Sequence, residues 1–240
     1  MANSVLNGIT VIDVSGHIAG PYCTKLLAEF GAKVIRISNP KEEVLDHHKN
    51  PVEVDMYLSD SKQSITLDIF SSEGQVIFKK LLTTADILVE SFNPIASPES
   101  RLVYNNLHEA FPSLIMTSVT PFGQKGPYIG YNASHIVYQA MGGWMAKLGK
   151  PDKEPVQSGG YLSYFIAGAC AISATMGALF YRNLSGQGQH IDISEWEATL
   201  GTAPEGFLAY EFSGKSNLSE VKFGGRSYNW FPGIYKAKDD

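Results

Sequence analysis

The residues in this chain that could do chemistry are histidines, cysteines and a glycine-bounded turn. His47 and His48 stand side by side in the polar run Asp46, His47, His48, Lys49. Two imidazoles can share a metal, but protein metal sites draw on HExxH or paired Cys/His spacings, and neither accompanies this pair. The run is read as a solvated loop, and no metal is expected. Cys23 and Cys170 are far apart and each lies in an apolar helical pattern, so they are read as two reduced core thiols rather than a disulfide. The turn SGHIAG, residues 15–20, says more. It delivers the chain from a β-branched run to a helix start, where free N–H groups and the positive dipole end receive phosphates and other anions. A full G-x-G-x-x-G is missing, so nicotinamide binding is not inferred.

These positions need a scaffold, and the hydrophobic pattern supplies one. Residues 8–14 (GITVIDV) read as a strand, 21–31 (PYCTKLLAEFG) as a helix with Pro21 at its first position, and 33–37 (KVIRI) as a second strand. That is a βαβ unit. Residues 39–60 read as a polar loop. Strands follow at 64–70 (SITLDIF), 86–92 (DILVESF), 114–120 (LIMTSVT) and 190–194 (HIDIS). Helices are expected from Ser72, with Gln75 completing a capping box, through Leu82, and at 102–110, 133–147 and 195–210. Strands alternating with helices imply an α/β fold with a parallel sheet, whose strand ends form one ligand-accepting edge.

Residues 159–181 (GGYLSYFIAGACAISATMGALFY) carry no charge and are long enough to span a membrane. They are read instead as a buried small-residue helix, since the flanking sequence is α/β and no second such stretch occurs; no membrane span is expected. A formal net charge of −5 argues against nucleic acid as a main partner. The N-terminus shows no basic segment followed by an apolar one, so a cytoplasmic protein is expected.

Taken in order, GITVIDVSGHIAGPYCTKLLAEFGAKVIRI, SITLDIFSSEGQ, ADILVESFNP, TSVTPFGQKGPY, QAMGGWM and GQGQHIDISEWEA resemble the motifs of the class III CoA-transferase family, also called the carnitine dehydratase and bile-acid-inducible family. The resemblance covers essentially the whole chain. It implies a Rossmann-like large domain, here residues 1–212, and a linker and the beginning of a small second domain at 213–240. It also implies an interlocked dimer and binding of coenzyme A thioesters. Carried over by position, the residues lining coenzyme A are Ile18, Ala19, Leu67, Asp68, Phe70, Ser91 and Phe92. Without the resemblance, Leu67 and Phe92 would be read as plain core.

The resemblance breaks where the family's transferases place their nucleophile. They use an aspartate in a G-x-x-x-x-D-x-x-x-G pattern, whose carboxylate attacks the thioester to give an anhydride that CoA thiolate then opens. With Gly159 and Gly168 as the two glycines, Tyr164 takes the aspartate's place. A phenol titrating near about 10 is protonated at neutral pH and cannot do that work. Asp152 and Glu154 precede the helix and cannot be brought into register. The racemases of the family pair their aspartate with a histidine, and that position is Ser134; His135 follows it about 100° around the helix. The sequence ends at the family's K-D-G motif, here Lys238 to Asp240, so the segment that would complete the ring is expected to be absent.

The reading that follows is a protein that binds coenzyme A thioesters and lacks the usual nucleophile. It would be a non-catalytic or divergent subunit, in a homodimer or in a heteromer with an aspartate-bearing homologue, acting on an acyl-CoA and a carboxylic acid. One alternative is lyase or isomerase chemistry with Tyr164 as acid or hydrogen-bond donor and His17 or His135 as base. The other is an inactive fragment.

Overall fold

β1 (Thr10–Asp13), β2 (Lys33–Ser38), β3 (Gln63–Thr66), β4 (Ile87–Glu90), β5 (Ile115–Thr120) and β6 (His190–Ser194) form one sheet, every neighbouring pair parallel, in the order β3-β2-β1-β4-β5-β6. The computed structural model describes residues 4–40, 51–95, 102, 104–145, 148, 153–202, 208, 211, 212 and 214. The Asp46 to Lys49 run, Asp152, and residues 215–240 with the expected small domain and Lys238 to Asp240 lie outside them.

The pleat sorts the strand residues onto two faces. Val11, Val34, Ile87, Val89, Ile115 and Val119 join Cys23, Leu27, Ala167, Ala171 and Leu179 in one core, under helices α1 (Ala19–Glu29) and α6 (Leu162–Ser185). Ile12, Ile37, Leu88 and Met116 turn the other way, onto Phe78 and Leu82 of α3 (Ser72–Leu82) and Leu107 of α4 (Tyr104–Ala110). Burial on both faces is what a parallel sheet requires. Between β1 and β4 the strand order reverses, which is where open α/β sheets take their ligands.

Several expectations are corrected. The chain from Val52 to Ser59 is a helix, α2, not loop; Pro51 precedes it and Glu53 and Asp55 fill its first turn. β3 stops at Thr66, because the Asp68 carboxylate accepts from Phe70 N–H at 3.1 Å and folds residues 67–70 into a turn. Ser71, not Ser72, caps α3, its hydroxyl accepting from Gly74 N–H at 3.0 Å. The expected helix at 133–147 is shorter, α5 (His135–Met141), and the helix begun at Glu195 is assigned as α7 (Glu195–Gly201), with residues 203–207 outside the description.

The uncharged stretch is buried on one face only. Ser163, Ala167, Ala171, Thr175 and Ala178 face the sheet and α1, whereas Phe180 and Leu184 are 69% and 74% exposed. Among the described residues α6 is the one helix long and apolar enough to cross a membrane. Cys170 lies on its open side and is exposed, so only Cys23 is a core thiol, and burial pushes that thiol up to about 12. Gly168 sets the depth of the packing, since a Cβ there would lie 2.6 Å from the Ala19 carbonyl oxygen. The first turn of α1 and the first turns of α6 therefore meet backbone to backbone.

Candidate functional site

At the reversal point the β1 exit is held by a buried ion pair. Lys62 Nζ lies 3.1 Å from Asp13 Oδ2 and also donates to Thr24 Oγ1 at 2.6 Å and the Pro21 carbonyl at 2.8 Å. Burial pushes the Asp13 carboxyl up, but Lys62 and the Ser15 and Thr24 hydroxyls outweigh it and hold Asp13 below its ordinary value. The pair thus clamps the loop from Ser15 to Gly20 onto the sheet. His17 is in the left-handed region with φ 57°, which turns the loop into α1.

Six of the seven residues assigned to coenzyme A gather here in two groups. Leu67, Phe70 and Phe92, with Val14, Ile37, Asn39 and Ile69, line a shallow groove open to solvent. Phe70 and Phe92 meet edge to face at 5.6 Å. Ser91 belongs with the second group: its hydroxyl accepts from Gly16 N–H at 2.7 Å, tying the β4 exit to the loop that carries Ile18 and Ala19. Ile18 and Ala19 are themselves buried at the start of α1. Asp68 does local work, closing the turn through Phe70 N–H and accepting from Ser71 Oγ at 2.8 Å on its carbonyl.

The second half of the site lies where α5, α6 and α7 converge. Tyr164 stands one turn before Gly168. Its ring stacks on His135 at 6.0 Å and 28°, and meets Tyr138 edge to face at 5.8 Å. The nearby His135 backbone N–H acts to lower its pKa. Burial, and then the Glu195 charge, raise the phenol above its ordinary value, so it is a neutral donor at physiological pH. Ser134 is exposed at the start of α5 and does not take part, whereas His135 is buried.

Both His135 ring nitrogens are occupied. Nδ1 accepts from Ser163 N–H at 3.3 Å, and Nε2 lies 2.7 Å from the Gln139 amide nitrogen. Gln139 Oε1 in turn accepts from Ser158 N–H at 2.8 Å. His135 and Gln139 therefore pin the connector before α6 onto α5 and fix where Tyr164 points.

Besides Asp13, two more carboxyls are buried without any mark of it in the sequence. Glu195, after the Ser194 cap of α7, is buried, and burial pushes it up to about 7. Glu90, at the end of β4, is pushed up to about 7 by burial as well; it accepts from Phe92 N–H at 2.6 Å and Gln124 Nε2 at 3.1 Å. Gln124 N–H is also held by both oxygens of Asp192, at 3.1 and 3.0 Å. The loop after β5 is thereby fastened to β4 and β6. Glu195 reads in the sequence as an ordinary first-turn helix acid, and nothing local marks its burial.

A parallel sheet in this order, with a helix-start loop at its reversal point, defines a doubly wound α/β protein. The profile of CoA-transferase family III matches residues 6–240, and the chain belongs to that family. It is 34% identical over 215 residues to the succinyl-CoA–D-citramalate CoA-transferase of Chloroflexus aurantiacus, covering 87% of this chain and 54% of that protein. Against the succinate–glutarate CoA-transferase of Agrobacterium fabrum it is 31% identical over 222 residues, 88% of this chain and 56% of the other. The chain thus spans about half the length of these relatives. Among solved structures, a CAIB/BAIF family protein from Brucella suis superposes with a TM-score of 0.80 at 31% identity, over 89% of this chain and 59% of that one.

Proposed function

We propose that this chain binds a coenzyme A thioester along the C-terminal edge of its sheet and, by itself, does not move CoA between acids by the carboxylate route of its relatives. The apolar surface of Phe70 and Phe92 would pack against a flat ring, and the loop fastened by Ser91 would offer N–H groups to phosphate. The observation that carries the second half of the reading is Tyr164, a phenol that burial keeps neutral, packed on the His135 ring at the position matched to the family's aspartate. It is the subunit of a homodimer, or of a heteromer with an aspartate-bearing homologue, that supplies scaffold rather than nucleophile.

The test uses the purified chain with succinyl-CoA and a carboxylic acid acceptor, alone and mixed with an aspartate-bearing family member. Calorimetric titration should show CoA binding, and the chain alone should form no new acyl-CoA. Absence of CoA binding would remove the first half of the proposal, and transfer by the unmixed chain would remove the second.

A further inference from the structure

Residues 90–93, at the exit of β4, are tied to three different parts of the molecule. Ser91 holds Gly16 of the loop after β1, and the Phe92 ring lines the groove beside Phe70. Asn93 Nδ2 donates to the Gly130 carbonyl at 2.8 Å, at the far end of the loop after β5. Glu90 joins two of these parts. Its Oε2 accepts from Phe92 N–H at 2.6 Å, and its Oε1 accepts from Gln124 Nε2 at 3.1 Å, near the start of that same loop. Glu90 is buried on the sheet face that Leu88 turns toward α3 and α4, and there Glu90, Ser118 and Asp192 stand in register across β4, β5 and β6. Gln124 spans this row, its side chain on Glu90 and its backbone N–H shared between the two Asp192 oxygens at 3.1 and 3.0 Å.

We propose that Glu90 is a positioning residue of the coenzyme A site: one of its oxygens sets the Phe92 wall and the other the loop of residues 121–130, so that the ionised carboxylate holds both at once. The inference rests on the reading that coenzyme A lies against Phe70 and Phe92. An ionised carboxylate accepts at both oxygens, and bonds to it are stronger than bonds to a neutral group. A protonated one has to donate from one of them. The Phe92 N–H belongs to the backbone and cannot turn away, so the proton faces Gln124, whose amide then has to rotate or leave. Burial pushes the Glu90 carboxyl up to about 7; the Asp192 charge in the same row adds to this, while Ser118, the Phe92 N–H and Gln124 work against it. Beyond Ser118 lies His190, whose Nε2 is 2.9 Å from the Ser118 hydroxyl, with Tyr104 stacked on it at 5.1 Å and His108 on Tyr104 at 5.0 Å. Lys125, next to Gln124, is exposed.

The natural chain, Glu90→Gln, Gln124→Ala and the double variant are titrated with CoA by calorimetry between pH 5 and pH 8. Glu90→Gln keeps the shape and removes the charge. It should bind CoA about fivefold more weakly than the natural chain at the upper end of the range, and lose the step in affinity at about 7. Titration of CoA's own phosphate is common to the four proteins and cancels in the comparison. Gln124→Ala reaches the same contact from a half-buried loop position, without touching the sheet. Because both changes act on one bond, the double variant should lose less than the product of the single losses. In 15N spectra of the natural chain the Phe92 backbone amide and the Gln124 side-chain amide should shift together with a midpoint at about 7, and lose that step in Glu90→Gln.

If the natural chain binds CoA and Glu90→Gln binds it as tightly with the same pH profile, the inference is overturned. Independent losses in the two single variants, or separate midpoints for the two amides, overturn it as well. A natural chain that binds no CoA contradicts instead the reading of the groove on which the inference rests. In that case a shared step of the two amides still supports the coupling through Glu90, and its absence overturns the coupling too.

Discussion

The Tyr164 ring packs on the His135 ring, 6.0 Å away and tilted by 28°, while Tyr138 meets the same phenol ring edge to face at 5.8 Å. Two rings of α5 thus hold the phenol from two directions. Replacing His135 with alanine removes the ring stack and the Ser163 N–H acceptor together. It should cost about 1–3 kcal/mol, the penalty of a buried donor left unmade, as measured by urea denaturation.

Gly168 predicts a packing defect when it gains a side chain. A methyl there would sit 2.6 Å from the Ala19 carbonyl oxygen and 2.9 Å from Tyr22 Cδ1, and the backbone oxygen cannot rotate away. Gly168→Ala should lower stability by about 1–3 kcal/mol and loosen the start of α1, seen as faster amide exchange at residues 18–20.

The Asp13–Lys62 pair is buried on both sides. Lys62→Met leaves the Asp13 charge without its cation and should destabilise the fold by about 3–5 kcal/mol. Changing both residues to apolar ones of similar size should recover much of that loss, because the cost lies in the unpaired charge rather than in the missing bond. Denaturant midpoints of the single and double variants check this.

Glu195 makes stability depend on pH. Its folded value is raised from 4.5 to about 7, so between those values the folded state holds a proton that the unfolded chain has lost. Stability is therefore greatest below the window and falls as pH rises through it, by up to about 3 kcal/mol. Glu90 acts in the same direction. Glu195→Gln should flatten part of the slope, so that its denaturation midpoint differs less between pH 5 and pH 8 than that of the natural chain.

Much of this architecture can be read from the residues. The β-branched runs locate all six strands, and HIDIS has its observed bounds, because β-branched content and a period of two leave little alternative there. What escaped depends on partners distant in sequence or on single side chains. SITLDIF continues the strand pattern to Phe70, but the Asp68 carboxylate bends the chain first. The open side of α6, with Phe180 and Leu184, has the same apolar composition as its packed side, so composition could not separate them. Tyr164 was found by its spacing from two glycines. Glu195 was not, because its burial arises from the convergence of three helices.

Ser91 carries the most direct test of the ligand loop. Ser91→Ala releases Gly16 N–H from its 2.7 Å acceptor and should weaken CoA binding about 5- to 10-fold, the equivalent of one hydrogen bond, while far-ultraviolet circular dichroism stays unchanged.

Succinyl-CoA with a radiolabelled acceptor acid tests most directly the proposal that this chain lacks a carboxylate nucleophile. The unmixed natural chain should bind CoA yet leave all the label in the free acid after many hours. Label recovered in acyl-CoA, dependent on this chain alone, would contradict the account.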